Sequence, residues 1–231
     1  MLAVSVGACG GAPTPPESLP SVSSPSPDPT AFSNEGFAER MDALVALGAR
    51  EPGSAALGHS REWALANAPE TQADAPVALI ASLVTGAASG DALGDASSGA
   101  ALVLEAARAL AAAGEPVRIA LLGDAADSPA LGGVELAVYV ARACSLPERR
   151  DLLSHRVLRE RFFRAANVEG VVFEQQLEAP HAALLAAGAL RVVALDAPRA
   201  PGAACAPAGF GDALVRFVTD ATALLKRSHE K

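Results

Sequence analysis

The sequence predicts an α/β fold of three layers (α-β-α), in which helices cover both faces of a mostly parallel or mixed central sheet. Candidate strands alternate with candidate helices along the chain. The candidate strands are also continuous apolar runs, which are typical of strands buried on both faces. Of the 231 residues, 51% are hydrophobic and only 4% are aromatic, so the core must consist mainly of Ala, Leu and Val. We expect one folded domain at residues 32–231, preceded by an N-terminal arm at 1–31.

Each element is predicted from a local pattern. Helices are expected where apolar side chains recur at helical spacing, and strands where apolar runs are unbroken. Ser54 is expected to cap the second helix, and the Gly- and Ser-rich stretch at 85–99 predicts a loop. In chain order we expect helices over 32–49 and 54–66, a strand over 77–84, a helix over 100–113, strands over 117–122 and within 133–143, a helix over 150–166, a strand at 171–173, a helix over 181–187, a strand over 191–195 and a closing helix over 210–227.

The charge balance excludes several function classes. The formal net charge is −8, which argues against a nucleic-acid binder because affinity for phosphate needs a basic face. Lysine occurs only at Lys226 and Lys231, so no mechanism can use a catalytic lysine in the body of the chain. An Arg-rich segment at 149–164, interleaved with acidic residues, predicts a solvated helix face. Its alternative is a site for an anionic partner such as a lipid headgroup or an acidic peptide.

The N-terminal arm contains a candidate lipidation site. Val6–Cys9 resembles the box that is cleaved and lipidated in bacterial lipoproteins, where the cysteine thiol carries the lipid, although no Lys or Arg precedes it here. The Pro- and Ser-rich stretch at 10–30 predicts an extended spacer. The resemblance implies a membrane-anchored lipoprotein, outside the cytoplasm, in a bacterial cell envelope. The alternative is a chance small-residue terminus followed by a disordered tail.

One Gly-rich segment suggests a nucleotide site. Thr85–Gly90 (TGAASG) follows a candidate strand and resembles the cofactor loop of short-chain dehydrogenases, which would imply a nucleotide-binding oxidoreductase. The rest of that family's pattern is missing. Its active site needs a Tyr followed four residues later by a Lys, whereas the only tyrosine is Tyr139 and position 143 is Ala143.

A second resemblance extends over most of the chain. Leu47–Ser54 with His59–Trp63, Asp95–Gly99 with the following helix, and Pro180–Leu184 are similar in order and spacing to landmarks of the co-catalytic zinc exopeptidases. That family includes zinc aminopeptidases and glutaminyl-peptide cyclotransferases. The resemblance implies a shortened form of its three-layer fold. It also implies a site in which an Asp bridges two zinc ions and a Glu acts as general base on the metal-bound water.

Most of the family's ligand positions hold other residues. Asp95 matches the bridging Asp. Ser82 and Val84 stand where the family has a ligand His and the Asp that orients it. Ala126 stands at the catalytic Glu, and Asp127 could replace only the adjacent ligand Glu. Residues 138–141 offer no carboxylate at the next ligand position.

The late ligand positions are altered in the same way. His181 remains at its family position, but Pro180 replaces the Asp before it. The final ligand His is expected near residues 204–208, where the chain has Cys205. We interpret His181 as a structural, hydrogen-bonding residue. Cys144 and Cys205 are expected to be buried free thiols, and the alternative is a disulfide pair formed in an oxidising compartment.

These substitutions predict a degenerate, non-catalytic domain that needs no cofactor and binds an unknown protein or peptide, because two carboxylates do not make a tight zinc site. On this interpretation Asp95 caps the helix that follows the loop. The alternative is a residual zinc-dependent aminopeptidase or glutaminyl-peptide cyclotransferase. It would use Asp95, Asp127 and a further ligand, either Cys205 or His181.

Overall fold

The computed structural model describes residues 28, 30–70, 72–86, 90–123, 130–168, 173–177, 179–207 and 209–229. Cys9, nearly all of the spacer, Ala126 and Asp127 lie outside the described residues. The elements are α1 (Asn34–Ala46), α2 (Ala55–Asn67), β1 (Val77–Ser82), α3 (Asp91–Ala112), β2 (Arg118–Leu122), β3 (Leu136–Ala143), β4 (Arg149–Asp151), α4 (Arg156–Ala165), β5 (Phe173–Gln175), α5 (His181–Ala186), β6 (Val192–Ala197) and α6 (Phe210–His229).

The central sheet has four strands in the order β2-β1-β3-β6, and each neighbouring pair is parallel. The α/β prediction is therefore confirmed. Side chains alternate between the two faces of the sheet, as the period of a strand requires. Val77 and Leu79 of β1 face a large core that includes residues of α1, α3, α4 and α6. Ala78 and Ile80 face a smaller core that includes Leu184 of α5.

Helix α3 begins at Asp91, so the prediction of a loop over 85–99 is wrong for its second half. The small residues that suggested a loop instead let α3 approach the sheet closely. A Cβ atom added at Gly99 would lie 2.5 Å from the carbonyl oxygen of Ala141 in β3. The Ser98 hydroxyl donates to the Asp95 carbonyl (2.6 Å) and accepts from the backbone N–H of Ala143 (2.7 Å), so this polar group is satisfied although it is buried.

The segment predicted as one helix over 150–166 contains a short strand and a shorter helix. Strand β4 pairs in parallel with β5 in a separate two-stranded sheet, and α4 begins only at Arg156. The Arg-rich segment is not solvated throughout. Arg159 is 6% exposed, and its guanidinium donates to the Asp151 carbonyl at 2.7 Å, so one arginine of the run is part of the packed structure. Among the described residues, no helix combines the length and apolarity that crossing a membrane requires.

The segment Leu47–Ser54, which follows α1, contains a buried arginine. Arg50 is fully buried, and its guanidinium donates to the carbonyls of Leu44 and Leu83 and to the hydroxyl of Ser97 (2.7 Å). Burial lowers the pKa of Arg50 to about 10. Its hydrogen bonds join the end of α1, the end of β1 and the first turns of α3, the elements that frame the carboxyl edge of the sheet.

Candidate functional site

A groove of about 500 Å³ lies at the carboxyl edge of the sheet, where parallel α/β sheets place their ligand sites. Strands β1, β3 and β6 supply its floor, and the segment after β5 supplies one wall. The residues that line it are Ser82, Val84, Ala96, Tyr139, Ala141, Arg142, Gln175, Gln176, Leu177, Ala179, Ala194, Leu195 and Asp196. The groove therefore includes Ser82 and Val84, two of the positions at which the family's metal-site residues were expected.

The central charged group of the groove is an arginine–aspartate pair. Arg142, near the end of β3, donates to both carboxylate oxygens of Asp196 in β6, with Nε–Oδ1 at 2.8 Å and Nη2–Oδ2 at 2.5 Å. Asp196 is 8% exposed. The hydrogen bonds to Asp196, together with the negative charges of Asp196 and Asp95, raise the pKa of Arg142 above its ordinary value. A bidentate pair of this kind fixes the orientation of both side chains.

Asp95 does not cap a helix, because it lies in the second turn of α3. Its Oδ1 accepts a hydrogen bond from the backbone N–H of Arg199 (2.8 Å), and its Oδ2 lies 3.5 Å from Nη1 of Arg142. Arg199 also reaches Asp91, with Nη1–Oδ1 at 2.7 Å. Both oxygens of the expected bridging carboxylate are therefore engaged by Arg142 and Arg199.

Tyr139 lies on the groove floor and is 8% exposed. Burial raises the pKa of its phenol above the ordinary value, and the negative charge of Asp196 raises it further. The phenol therefore stays protonated at neutral pH and offers a hydrogen-bond donor to a bound molecule.

His181 belongs to a separate buried cluster. Its Nε2 lies 2.9 Å from Oδ2 of Asp151, a carboxylate that is fully buried. The same Oδ2 accepts from the Ser154 hydroxyl at 2.7 Å, and Oδ1 accepts from the backbone N–H of Leu177 at 3.0 Å. Ser154 therefore donates to Asp151 and not to His181, so the cluster lacks the serine–histidine hydrogen bond of a nucleophilic site. His181 therefore lies against a buried carboxylate and does not line the groove.

The interpretation of Cys144 and Cys205 as free thiols is wrong, because the two residues form a disulfide. The bond joins the residue after β3 to the segment before α6. The backbone carbonyl of Cys144 also accepts a hydrogen bond from the N–H of Ala206. Cys205 does stand where the family's last ligand was expected, but its sulfur is bonded to carbon and sulfur and offers no thiolate to a metal.

The described residues do not provide a donor set that fits two zinc ions. Within the described ranges, no three His, Cys, Asp or Glu residues come together in a way that could hold a metal. Asp95 is engaged by arginines, His181 contacts Asp151, and Cys205 is in a disulfide. These three residues do not converge, and Asp127 lies outside the described part of the chain.

The suggested nucleotide loop also has a structural role at its start. Thr85 is 1% exposed, and its hydroxyl accepts from the backbone N–H of Arg50 at 2.9 Å. Gly90 immediately precedes α3, and residues 87–89 lie outside the described residues. The inward position of Thr85 leaves its hydroxyl unavailable to a phosphate.

Sequence reasoning missed the residues that dominate the groove, which are Arg142, Asp196 and Tyr139. A signal for the first two was present. Each is a charged residue near the end of an otherwise apolar strand, in AVYVARA and VVALDA, and the two charges have opposite sign. Parallel strands bring their carboxyl ends together, so these residues could have been predicted to pair.

No protein-family model and no curated protein sequence matches the chain. Solved structures do match it, at low sequence identity. A glutaminyl cyclase from Porphyromonas gingivalis aligns over 82% of this chain and 99% of its own, with a TM-score of 0.61 and 14% identity. A Zn-dependent exopeptidase from Parabacteroides distasonis aligns over 83% and 98%, with a TM-score of 0.62 and 11% identity.

A leucine aminopeptidase precursor from Bacteroides thetaiotaomicron gives a similar result, with a TM-score of 0.56 and 12% identity over 83% of this chain and 97% of its own. The alignments cover nearly the whole of each of these chains, so the similarity extends to the complete domain and not to a single motif. The chain therefore has the fold of the bacterial glutaminyl cyclases and zinc-dependent exopeptidases.

Proposed function

We propose that this chain is a non-catalytic, surface-tethered domain with the zinc-exopeptidase fold, acting in binding or scaffolding. The observation that carries the proposal is the engagement of Asp95 and Asp196 by arginine. Arg142 donates to both oxygens of Asp196 and also reaches Asp95, whose other oxygen accepts from the backbone N–H of Arg199. Positive charge is thus supplied to both carboxylates by the guanidinium group of Arg142. A zinc ion would have to displace Arg142 and would then lie beside its charge.

The groove itself suits a peptide or another polar ligand. Tyr139 offers a phenolic donor, Gln176 is exposed, and Ser82 is half-buried at the end of the neighbouring strand β1. Leu177, Ala179 and several alanines provide apolar surface between these groups. Apolar walls with a few fixed polar groups are the usual composition of a ligand pocket.

Tethering at a cell surface is supported by two independent features. The sequence around Cys9 resembles a lipoprotein box, and the Cys144–Cys205 disulfide is of a kind that persists in oxidising compartments. Together they favour a lipid anchor at Cys9 and a location outside the cytoplasm.

The proposal is tested by metal analysis and turnover on the same preparation. The chain is purified without chelator, its zinc content is measured, and it is incubated with an N-terminal glutaminyl peptide and an aminoacyl arylamide. We expect substoichiometric zinc and no turnover, before or after addition of zinc. Stoichiometric zinc with turnover of either substrate would overturn the proposal in favour of a residual aminopeptidase or glutaminyl-peptide cyclotransferase.

A matched pair of variants identifies the residues responsible for any metal that is found. Asp95→Asn removes the carboxylate at the groove, and Asp91→Asn removes an exposed carboxylate one turn earlier on α3. If the chain is an enzyme that uses the expected bridging position, only Asp95→Asn abolishes zinc binding. We expect neither variant to change the zinc content.

A further inference from the structure

Helix α4 has an outer face that combines exposed aliphatic and arginine side chains. Its inner face is fixed to the core by Phe162, whose ring packs edge-on against Phe210 and Phe217 of α6, with 5.7 Å between ring centres in each pair. The outer face, with the turn before it, carries Leu152 (54% exposed), Leu153 (53%), Val157 (58%), Arg156, Arg161 and Arg164. We name these six residues the leucine–arginine face.

A further exposed leucine lies near this face. The Ser154 hydroxyl accepts from the backbone N–H of Ala194 at 2.8 Å, and the His155 N–H donates to the Val192 carbonyl at 2.9 Å. These bonds hold the turn before α4 against the first half of β6. Leu190, which is 66% exposed and lies two residues before Val192, therefore extends the apolar surface on that side. Several large aliphatic side chains in one region distinguish it from an ordinary surface, where they occur singly.

The arginines of the face are not neutralised by the carboxylates around them. Glu160 pairs with Arg150 (3.4 Å) and Arg159 (3.1 Å), and Glu174 lies 3.6 Å from Arg159. Within the described part of the chain, Arg156, Arg161 and Arg164 form no ion pair of their own. Residues 148–164 contain six arginines and three carboxylates, whereas the whole chain has a net charge of −8. The face is thus a local basic surface on an acidic protein.

We propose that the leucine–arginine face docks the domain on an anionic lipid bilayer. Guanidinium groups attract anionic headgroups, and aliphatic side chains beside them enter the boundary between headgroups and acyl chains. The aliphatic side chains protrude, with about half or more of each exposed, which suits a fluid surface that needs no matching pockets. The acidic remainder of the chain is repelled by the same membrane, so docking would be oriented. The proposal does not depend on lipidation of Cys9.

The experiment uses the full chain carrying Cys9→Ser, so that no acyl chain contributes to binding. Its affinity is measured by cosedimentation with vesicles of phosphatidylcholine and with vesicles that also contain phosphatidylglycerol. We expect binding to the anionic vesicles only, and we expect it to weaken as salt is added because surface charges are screened. Equal binding to both kinds of vesicle would contradict the proposal. Failure to bind either kind of vesicle would also overturn the proposal, and it is the result expected if the face instead binds an acidic protein.

Two pairs of variants assign the binding to this face. The triple variant Arg156→Gln, Arg161→Gln and Arg164→Gln should lose about fivefold in affinity for each arginine, or about a hundredfold together. Its control carries Arg216→Gln, Lys226→Gln and Arg227→Gln, which remove the same charge from exposed positions on α6. Leu153→Ser should lose roughly fivefold, whereas Leu65→Ser, which is 79% exposed on α2, should lose nothing.

All four variants alter exposed residues, and unchanged circular dichroism and thermal unfolding will show that each is folded. If the α6 control loses as much affinity as the α4 variant, binding depends on net charge alone and the assignment to this face is wrong. If Leu153→Ser binds as tightly as the unmodified chain, the apolar half of the proposal is wrong.

Discussion

Arg142 and Asp196 join the carboxyl ends of the neighbouring strands β3 and β6 through two parallel hydrogen bonds. Asp196 is 8% exposed, so removing its partner leaves a largely buried carboxylate without compensation. We expect Arg142→Gln to lower the free energy of unfolding by about 2 kcal/mol. This figure is below the usual cost of breaking a fully buried pair, because the Arg142 side chain is 40% exposed. Urea unfolding followed by the fluorescence of Trp63, the only tryptophan, measures it.

A double-variant cycle separates the pair from other effects of the substitution. The double variant Arg142→Gln, Asp196→Asn should lose much less free energy of unfolding than the sum of the losses of the two single variants. In the double variant no charge of the pair is left without its partner. Arg216→Gln, at an exposed position on α6, is the control and should stay within about 0.5 kcal/mol of the unmodified chain. Additive costs for the two single changes would show that Arg142 and Asp196 do not interact.

Tyr139 gives a direct test of the groove's electrostatics, because it is the only tyrosine in the chain. Burial, followed by the charge of Asp196, raises its pKa. The tyrosinate absorbance should therefore appear above pH 10 in the folded chain and near pH 10 in urea. Asp196→Asn should lower the native midpoint, with burial still holding it above the midpoint in urea. A native midpoint at or below the value in urea would refute this description of the site.

The same shift has a consequence for stability. A raised pKa means that the folded chain binds more protons than the unfolded chain between the two pKa values. The contribution of Tyr139 is therefore complete below pH 10 and is lost as the pH rises through the folded pKa. The buried Arg50, whose pKa is lowered to about 10, acts in the opposite direction over the same range, so the whole-chain slope mixes the two. The difference in unfolding free energy between the unmodified chain and Tyr139→Phe isolates the tyrosine and should shrink above pH 10.

The sequence was sufficient to predict the elements whose signal is local. The unbroken apolar runs predicted β1, β2 and β6 to within two residues at each end, and Ser54 does cap α2 by accepting from the backbone N–H of Leu57. The start of α3 was missed because DALGDASSG has the composition of a loop. Its small residues are needed for packing against β3, and packing across the fold is not visible in a local pattern.

The groove was predicted only in part for the same reason. Ser82 and Val84 line it, as their positions after β1 required, but the pairing of Arg142 with Asp196 depends on strand order. The Cys144–Cys205 bond likewise joins residues 61 positions apart, which only the fold brings together. The sequence therefore did not predict the features of the site that depend on contacts between distant segments of the chain.

That disulfide should contribute substantially to stability, because it closes a loop of 61 residues in the unfolded chain. The loop-entropy relation gives about 4 kcal/mol for this length, and engineered and natural bridges often contribute less. We expect Cys144→Ser with Cys205→Ser to lower the free energy of unfolding by about 2–4 kcal/mol in urea titrations. Thiol counting on the unlipidated chain in denaturant is the companion measurement. One thiol, that of Cys9, should react before reduction and three after it, and three reactive thiols before reduction would show that the bond is absent.

The close contact between α3 and β3 at Gly99 leads to a specific prediction about packing. A Cβ atom there would lie 2.5 Å from the carbonyl oxygen of Ala141 and 2.6 Å from that of Val140, and these are backbone atoms that cannot turn away. Gly99→Ala should therefore lower the free energy of unfolding by about 2–3 kcal/mol, although alanine is the better helix former by about 1 kcal/mol. Gly58→Ala is the matched control, because Gly58 lies in α2 with nothing within 4 Å of an added Cβ, and it should be neutral or stabilising. Equal effects of the two substitutions would mean that α3 does not approach the sheet as closely as described. The position of α3 beside β3 at the edge of the groove would then be wrong.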